Sequence, residues 1–370
     1  MDEELRYKVA VTMFQGIGPQ LINRLVEQSG CVESFFKDKK CVLENIPDLR
    51  HTRTEFIDRD EAMARADREI EFCVKNGIRI ITPDDGDYPY RLLQCPDFPQ
   101  VVYCKGGVNL NHEKVLAMVG TRRATLYGRT VCNDIVSGLK DDGHDILIVS
   151  GLAYGIDVAS HKAALDNGFK TVGVVAHGLN QLYPAAHKNI ARQMVESGGA
   201  VLSDFSTLAS AEPRNFLKRN RIIAGLSDAV LVVESAEKGG SMITATLGNS
   251  YDRDVLAVPG KCSDKYSRGC NKLIKDNKAA LVESAQDVEF LMNWELEKKV
   301  ANQQLELPII DLNSEESKVY DFLKNNGKSM INDISKFTSI PIGKLSTILL
   351  TLELKNLLFS LPGNLYTVEV

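Results

Sequence analysis

Between residues 115 and 282 short apolar runs recur with a regularity that few folds accommodate. They are Val115–Val119, Ile146–Val149, Thr171–Ala176, Ala200–Leu202, Ala229–Val233, Val255–Val258 and Ala280–Val282. Each is β-branched and apolar at consecutive positions, so both of its faces need covering, as in a parallel sheet sandwiched by helices. Helix-like stretches begin between the runs near Tyr127, Ile156, Ala186, Phe216, Met242 and Gly269. Such a βαβα alternation predicts a doubly wound sheet with its ligand site at the carboxyl ends of the strands.

The regions on either side differ. Residues 1–76 read as short helices, with Gly16-Ile17-Gly18 before a helical pattern and a charged stretch, Asp48–Glu71, that predicts a surface helix. Gly-Ile-Gly before a helix suits a helix-hairpin-helix that offers N–H groups to a phosphate, or a plain turn. Residues 77–108 predict a strand, a Pro-rich surface segment and a second strand, and this approach belongs with a central domain spanning 77–297. Residues 298–313 are charged, then polar, as in a linker. Beyond them, 314–370 predict helices at Glu315–Lys324, Ile331–Phe337 and Ile342–Glu353, then a hairpin turning at Pro362-Gly363-Asn364. Three helices and a wing are the elements of a winged helix-turn-helix, serving either DNA or protein contact.

Every strand end in the central domain carries an unusual loop. Gly120-Thr121-Arg122-Arg123 follows the first run, Ser150-Gly151 the second, and Gly178–His187, just before Lys188, the third. Pro213–Arg221 comes after the fourth; Gly239-Gly240-Ser241 and the Lys261 loop complete the set. Small residues there let a ligand approach the backbone, and helix starts point partial positive charge at it. In a chain of net charge −5, Arg214, Lys218, Arg219 and Arg221 fall within eight residues, and Arg122, Arg123 and Lys261 join them at one sheet edge. That concentration predicts a site for phosphate or nucleic acid. Because Ile222, Ile223 and Ala224 must face the sheet, Arg219 and Arg221 are expected at a helix beginning, forked onto phosphates; the alternative is burial against Asp204, Asp228 or Glu234.

Little here predicts catalysis. His161, His177 and His187 lack a nucleophile–base neighbourhood, and Ser150 and Ser241 lie outside any G-x-S-x-G. Asp157 suits a loop-structuring role, and Glu234 either a ligand contact or an arginine partner. Eight cysteines show neither C-x-x-C pairs nor zinc-ligand spacing; with no signal-peptide pattern they fit a reducing cytoplasm. The sequence contains no apolar run of the ~20 residues that span a bilayer.

These loops, in this order, resemble the DprA/Smf family of DNA-processing proteins. VGTRRATLYG is similar to the family's VGSRxxSxYG, and SGLAYGIDVASHKAAL to SGLAxGIDxxAHxxAL. GLNQLYPAAH, FLKRNRIIAGLSDAVLVVES, KGGSMITA, DVLAVPG and RGCNKLI follow in the family's order, after the approach YPYRLLQCPDFPQVVYCKG. Thr121 stands where Ser is usual, Leu217 replaces a Pro, Gly240 and Met242 alter the SGSL element, and Ala185 takes a position that is often basic.

The resemblance implies an extended Rossmann-like domain, with a helical N-terminal domain (SAM-like or helix-hairpin-helix-like) and a C-terminal winged helix. It implies a homodimer that binds single-stranded DNA without sequence preference and loads RecA during natural transformation, with the single-stranded-DNA-binding protein as a further candidate partner. No cofactor, metal or catalytic activity is implied. On this reading Arg122, Arg123, Lys188, Arg214, Lys218, Arg219, Asn220, Arg221 and Lys261 meet phosphates. Gly120, Thr121, Ser150, Gly151, Gly239, Gly240 and Ser241 shape the backbone cradle, and Phe216 stacks on a base or packs in the core. The alternative is a phosphoribohydrolase of the lysine-decarboxylase-like group, but EKGGSMITA lacks that group's PGGxGTxxE glutamate.

Overall fold

The computed structural model describes residues 2–14, 17–37, 58–294, 312–355, 357–361 and 365–368, in two units, Met1–Leu296 and Glu297–Val370. The first unit is built on a nine-stranded sheet, β1 Arg79–Ile81, β2 Val102–Gly106, β3 Val115–Gly120, β4 Leu147–Ser150, β5 Thr171–Val174, β6 Ala200–Ser203, β7 Ala229–Glu234, β8 Asp254–Ala257 and β9 Ala280–Leu281. Its order is β1-β2-β6-β5-β4-β3-β7-β8-β9, parallel from β6 to β9 and antiparallel at the β1–β2 and β2–β6 pairings. All seven expected apolar runs are strands, with ends shifted by no more than two residues. The chain winds outward from β3 to β6, then returns to lay β7 against β3, so the order reverses at the β3–β7 boundary. In an open α/β sheet that reversal opens a crevice beyond the strand ends.

Strand alternation divides the core. Val115, Ala117, Val119, Val230 and Val232 face α9 (Pro213–Leu226) and α10 (Gly240–Ser250) through Ile222, Ile223, Ala224 and Ala245. Leu116, Met118, Leu231 and Val233 face α6 (Leu126–Asp141), α7 (Ile156–Asp166) and α12 (Ala285–Leu291). Both faces are dry, which is why the strands read as continuous apolar runs.

Upstream, residues 48–57 lie outside the described residues, and the rest of the expected surface helix is α4 (Arg59–Lys75). Its charged face, with Asp60, Glu61, Arg68 and Glu71, is exposed, while Ala62, Ala66, Ile70 and Cys73 pack with α1 (Glu3–Thr12) and α2 (Pro19–Ser29) in a core that also takes in Ile78, Val101 and Tyr103. Residue 76 is therefore no break in packing, because the helical layer lies on the β1–β2 end of the sheet. The Pro-rich segment runs along the surface at residues 84–87, Tyr90 and Leu93 but is anchored inside at intervals. Tyr88, Leu92 and Cys95 are buried, and Arg91, 2% exposed, holds Asp228 at 2.5 and 2.9 Å while donating to the carbonyls of His112 and Glu113. A charge removed from water this thoroughly persists because all three of its nitrogens donate, to a carboxylate and to two carbonyls. Gly18 precedes α2, whereas Gly16 lies outside the described residues.

In the second unit, helices α13 (Ser314–Asn326), α14 (Ile331–Thr338) and α15 (Ile342–Leu354) enclose Val319, Leu323, Ile334, Leu345 and Leu349. Strands β10 (Ser329–Met330), β11 (Phe359–Leu361) and β12 (Leu365–Thr367) form an antiparallel sheet in the order β10-β12-β11. The three helices match those expected; β10 was not anticipated. The linker at 298–311 and the turn at 362–364 lie outside the described residues. No single described helix is long and apolar enough to cross a membrane.

Candidate nucleic-acid interface

A crevice of about 390 Å³ opens at the β3–β7 reversal. Its first wall is the loop after β3. Gly120 passes so close to Ile156 and Glu234 that a Cβ would meet them at 2.5 and 2.8 Å. Thr121 donates its N–H to the Glu234 carbonyl at 2.7 Å and accepts from Arg123 N–H at 3.1 Å. Glu234, 2% exposed, accepts from Thr125 N–H at 2.9 Å and from its hydroxyl at 2.5 Å, while Thr125 caps α6. Both oxygens of that carboxylate thus hold the loop, which answers what Glu234 does at its strand end.

Gly155, at φ +82, backs that loop, where a Cβ would lie 2.1 Å from the Thr121 carbonyl. The second wall is the start of α10, where Gly239 has no side-chain cap and the Gly240 and Ser241 N–H groups have no acceptor among the described residues. Ser241 donates its hydroxyl to Ser235 at 2.8 Å, and nothing lies within 4 Å of a Cβ built at Gly240. Free N–H groups at a helix start favour an anion.

Helix α9 closes the crevice. Arg122, exposed and with no carboxylate partner among the described residues, lies with its guanidinium 4.8 Å from the Phe216 ring centre. Phe216 meets Tyr183 edge-on at 5.9 Å, and Tyr183 is 47% exposed. Phe216 is therefore a wall residue, outside the packed core clusters. Asn220 also lines the crevice, its amide donating to the Gly240 carbonyl at 3.3 Å.

Arg219 and Arg221 are not at the helix beginning. Helix α9 starts at Pro213, whose fixed φ suits a first helical position, so both arginines fall in later turns and face inward. Arg219, 3% exposed, donates to the carbonyls of Gly151 (2.5 Å) and Val174, tying together the ends of β4 and β5 on the crevice floor. Burial lowers its pKa to about 10, against the raising effect of Asp157. Burial pushes Asp157 up; its carboxylate accepts from Ala153 N–H at 3.4 Å, the loop-structuring role. Arg221 pairs with buried Asp204 and donates to the Asp97 carbonyl. For Arg221 the structural alternative holds, because the ion pair occupies its guanidinium.

Other expected contacts disperse. Ser150 is fully buried, donating to the Met118 carbonyl at 2.5 Å, and Gly151 abuts Arg219, so neither faces the crevice. Arg214, Lys218, Lys188 and Lys261 are exposed but do not line it; Arg214 lies 3.8 Å from Glu212. Arg123 lies in a neighbouring groove between α6 and α7. His161 bonds Thr171 at 2.7 Å, and burial lowers its pKa to about 3; His177 takes Tyr183 N–H at 3.0 Å. Both imidazoles are structural. Among the described residues no cluster of His, Cys, Asp or Glu could hold a metal ion.

Residues 79–293 match the family model described as DNA recombination-mediator protein A. The chain belongs to that family. The DNA processing protein DprA of Streptococcus pneumoniae is 34% identical over 284 residues, 76% of this chain and 96% of the relative. Its X-ray structure superposes with a TM-score of 0.62 at 32% identity, over 76% and 96% of the two chains. Protein Smf of Synechocystis is 32% identical, over 77% of this chain and 72% of its own length. A Helicobacter pylori DNA processing protein A, studied for its single-stranded DNA binding mode, gives a TM-score of 0.52 at 25% identity over 60% and 98% of the chains. The family match covers the whole crevice. In this family member Tyr183 lines the crevice and Tyr154, Arg129 and Lys162 the neighbouring groove, none of them expected from the sequence; the YP pair and the i, i+4 spacing of Val158 and Lys162 were the available signals.

Proposed function

We propose that the crevice binds single-stranded DNA without sequence preference and that the protein acts as a recombination mediator handing that strand to RecA. The observation carrying this reading is Arg122. It is an exposed guanidinium stacked on Phe216, without a carboxylate partner among the described residues, in the crevice that the open N–H groups of Gly240 and Ser241 also line. Charge and backbone donors suit phosphates, while Phe216 and Tyr183 offer ring surface to any base. The family match supports the mediator role. A homodimer, contact with the single-stranded-DNA-binding protein and a role in the cytoplasm during natural transformation belong to the same proposal.

The protein works as a binder rather than an enzyme. Glu234, the carboxylate best placed for acid–base work, is committed to Thr125, and the buried histidines serve the fold. One buffer tests both readings, with a labelled oligonucleotide presented single-stranded or as a blunt duplex and nucleoside monophosphate hydrolysis followed alongside. A flexible strand can enter the crevice and a duplex about 20 Å wide cannot, so tighter single-strand binding is expected. Equal affinity for the two forms contradicts the proposal, and release of free base would favour the phosphoribohydrolase.

A further inference from the structure

A second groove, of about 550 Å³, runs between α6 and α7 on the opposite face of the sheet from α9. Arg122 lines both the crevice and this groove, so the two meet across the ridge formed by the loop after β3. Gly155 presses that ridge against the start of α7 and keeps the passage low. The groove carries Arg123, Arg129 and Lys162, all exposed, and among the described residues no carboxylate lies within ion-pair distance of any of them. Among the described lining residues Asp166, at the far end of α7, is the one acid. Small side chains (Ala124, Ala159, Ala163) make the floor. At its mouth Tyr154 is 47% exposed and held edge-on by His187 at 4.9 Å, while His187 bonds the Leu152 carbonyl at 2.8 Å.

We propose that this groove carries the continuation of a single strand seated in the crevice, its phosphates on Arg123, Arg129 and Lys162 and a base against Tyr154. The inference rests on the proposed function and adds to it a path: the strand crosses the sheet edge from the α9 face to the α6–α7 face over Arg122. Cations that share one groove without carboxylate partners among the described residues can follow a backbone, and one fixed aromatic ring supplies a platform that any base can use. An enclosed small-molecule site would need apolar walls and convergent polar groups, whereas this groove is open and cationic.

The test uses the full chain and oligothymidylates of about 6 and about 20 nucleotides, a range that spans typical single-strand site sizes. Lys162→Glu should leave the short oligomer's affinity unchanged and weaken the long one by about tenfold or more, the sensitivity expected of a phosphate contact. Lys162→Arg should bind the long oligomer like the wild type. Arg123→Ala with Lys162→Ala should lower the slope of log affinity against log salt for the long oligomer by about 1.4, at about 0.7 per phosphate. Arg129 is left in place because it donates to the Ala124 and Thr125 carbonyls and helps hold the ridge. Wild-type protein that binds the long oligomer beside an unchanged Lys162→Glu variant overturns this path alone. Wild-type protein that binds neither oligomer overturns the proposed function and the path with it.

Discussion

Three arginines of one basic region have three different roles, and solvent exposure separates them. Arg122 is open and stacked on a ring, Arg219 is a buried strap across two strand ends, and Arg221 is half of an ion pair. The sequence makes them look alike because charge is legible in a sequence while partners are not: Asp204 is seventeen residues from Arg221 and the Gly151 carbonyl sixty-eight from Arg219. The same blindness applies to Arg91, whose partner Asp228 is 137 residues away. Arg221→Ala should therefore act on stability. Leaving the buried Asp204 carboxylate unpaired costs about 3–5 kcal/mol, read as a drop in the melting midpoint. A variant that melts like the wild type but no longer binds DNA would return Arg221 to the phosphate-contacting set.

At the scale of elements, the parallel strands were legible nearly to the residue, since dry packing on both faces demands an unbroken apolar run. Helix starts were less so. The beginning of α9 was expected near Phe216 and lies at Pro213, and that one-turn difference turned two arginines from the ligand toward the core. In the upstream segment prolines and charges suggest surface, which holds for residues 84–87, yet Arg91 is buried because each of its nitrogens has a partner. Loop geometry can be tested at Gly155. Its φ of +82 and ψ of −124 suit glycine alone, and a Cβ would strike the Thr121 carbonyl. Gly155→Ala should destabilise the protein by about 2 kcal/mol or more and weaken strand binding by displacing Arg122. An unchanged melt with unchanged binding would mean that the ridge is not pinned there.

For the whole molecule, a net charge of −5 coexists with a cationic sheet edge, because binding depends on the local field rather than on the sum. The two units have separate cores, and every residue of the crevice belongs to the first. Deleting residues 308–370 should leave a folded protein with its affinity for single strands intact, measured by melting and by titration. Lost solubility or lost binding would make the C-terminal unit part of the site. The account stands most directly on Arg122, since it is the exposed cation common to both grooves. The decisive measurement is a salt-dependent titration of single-stranded DNA with wild type and Arg122→Ala, beside a melt of each. The expected result is an unchanged melt, weaker binding and a salt slope lower by about 0.7, one phosphate's share. A variant that binds with the affinity and slope of the wild type would contradict the account.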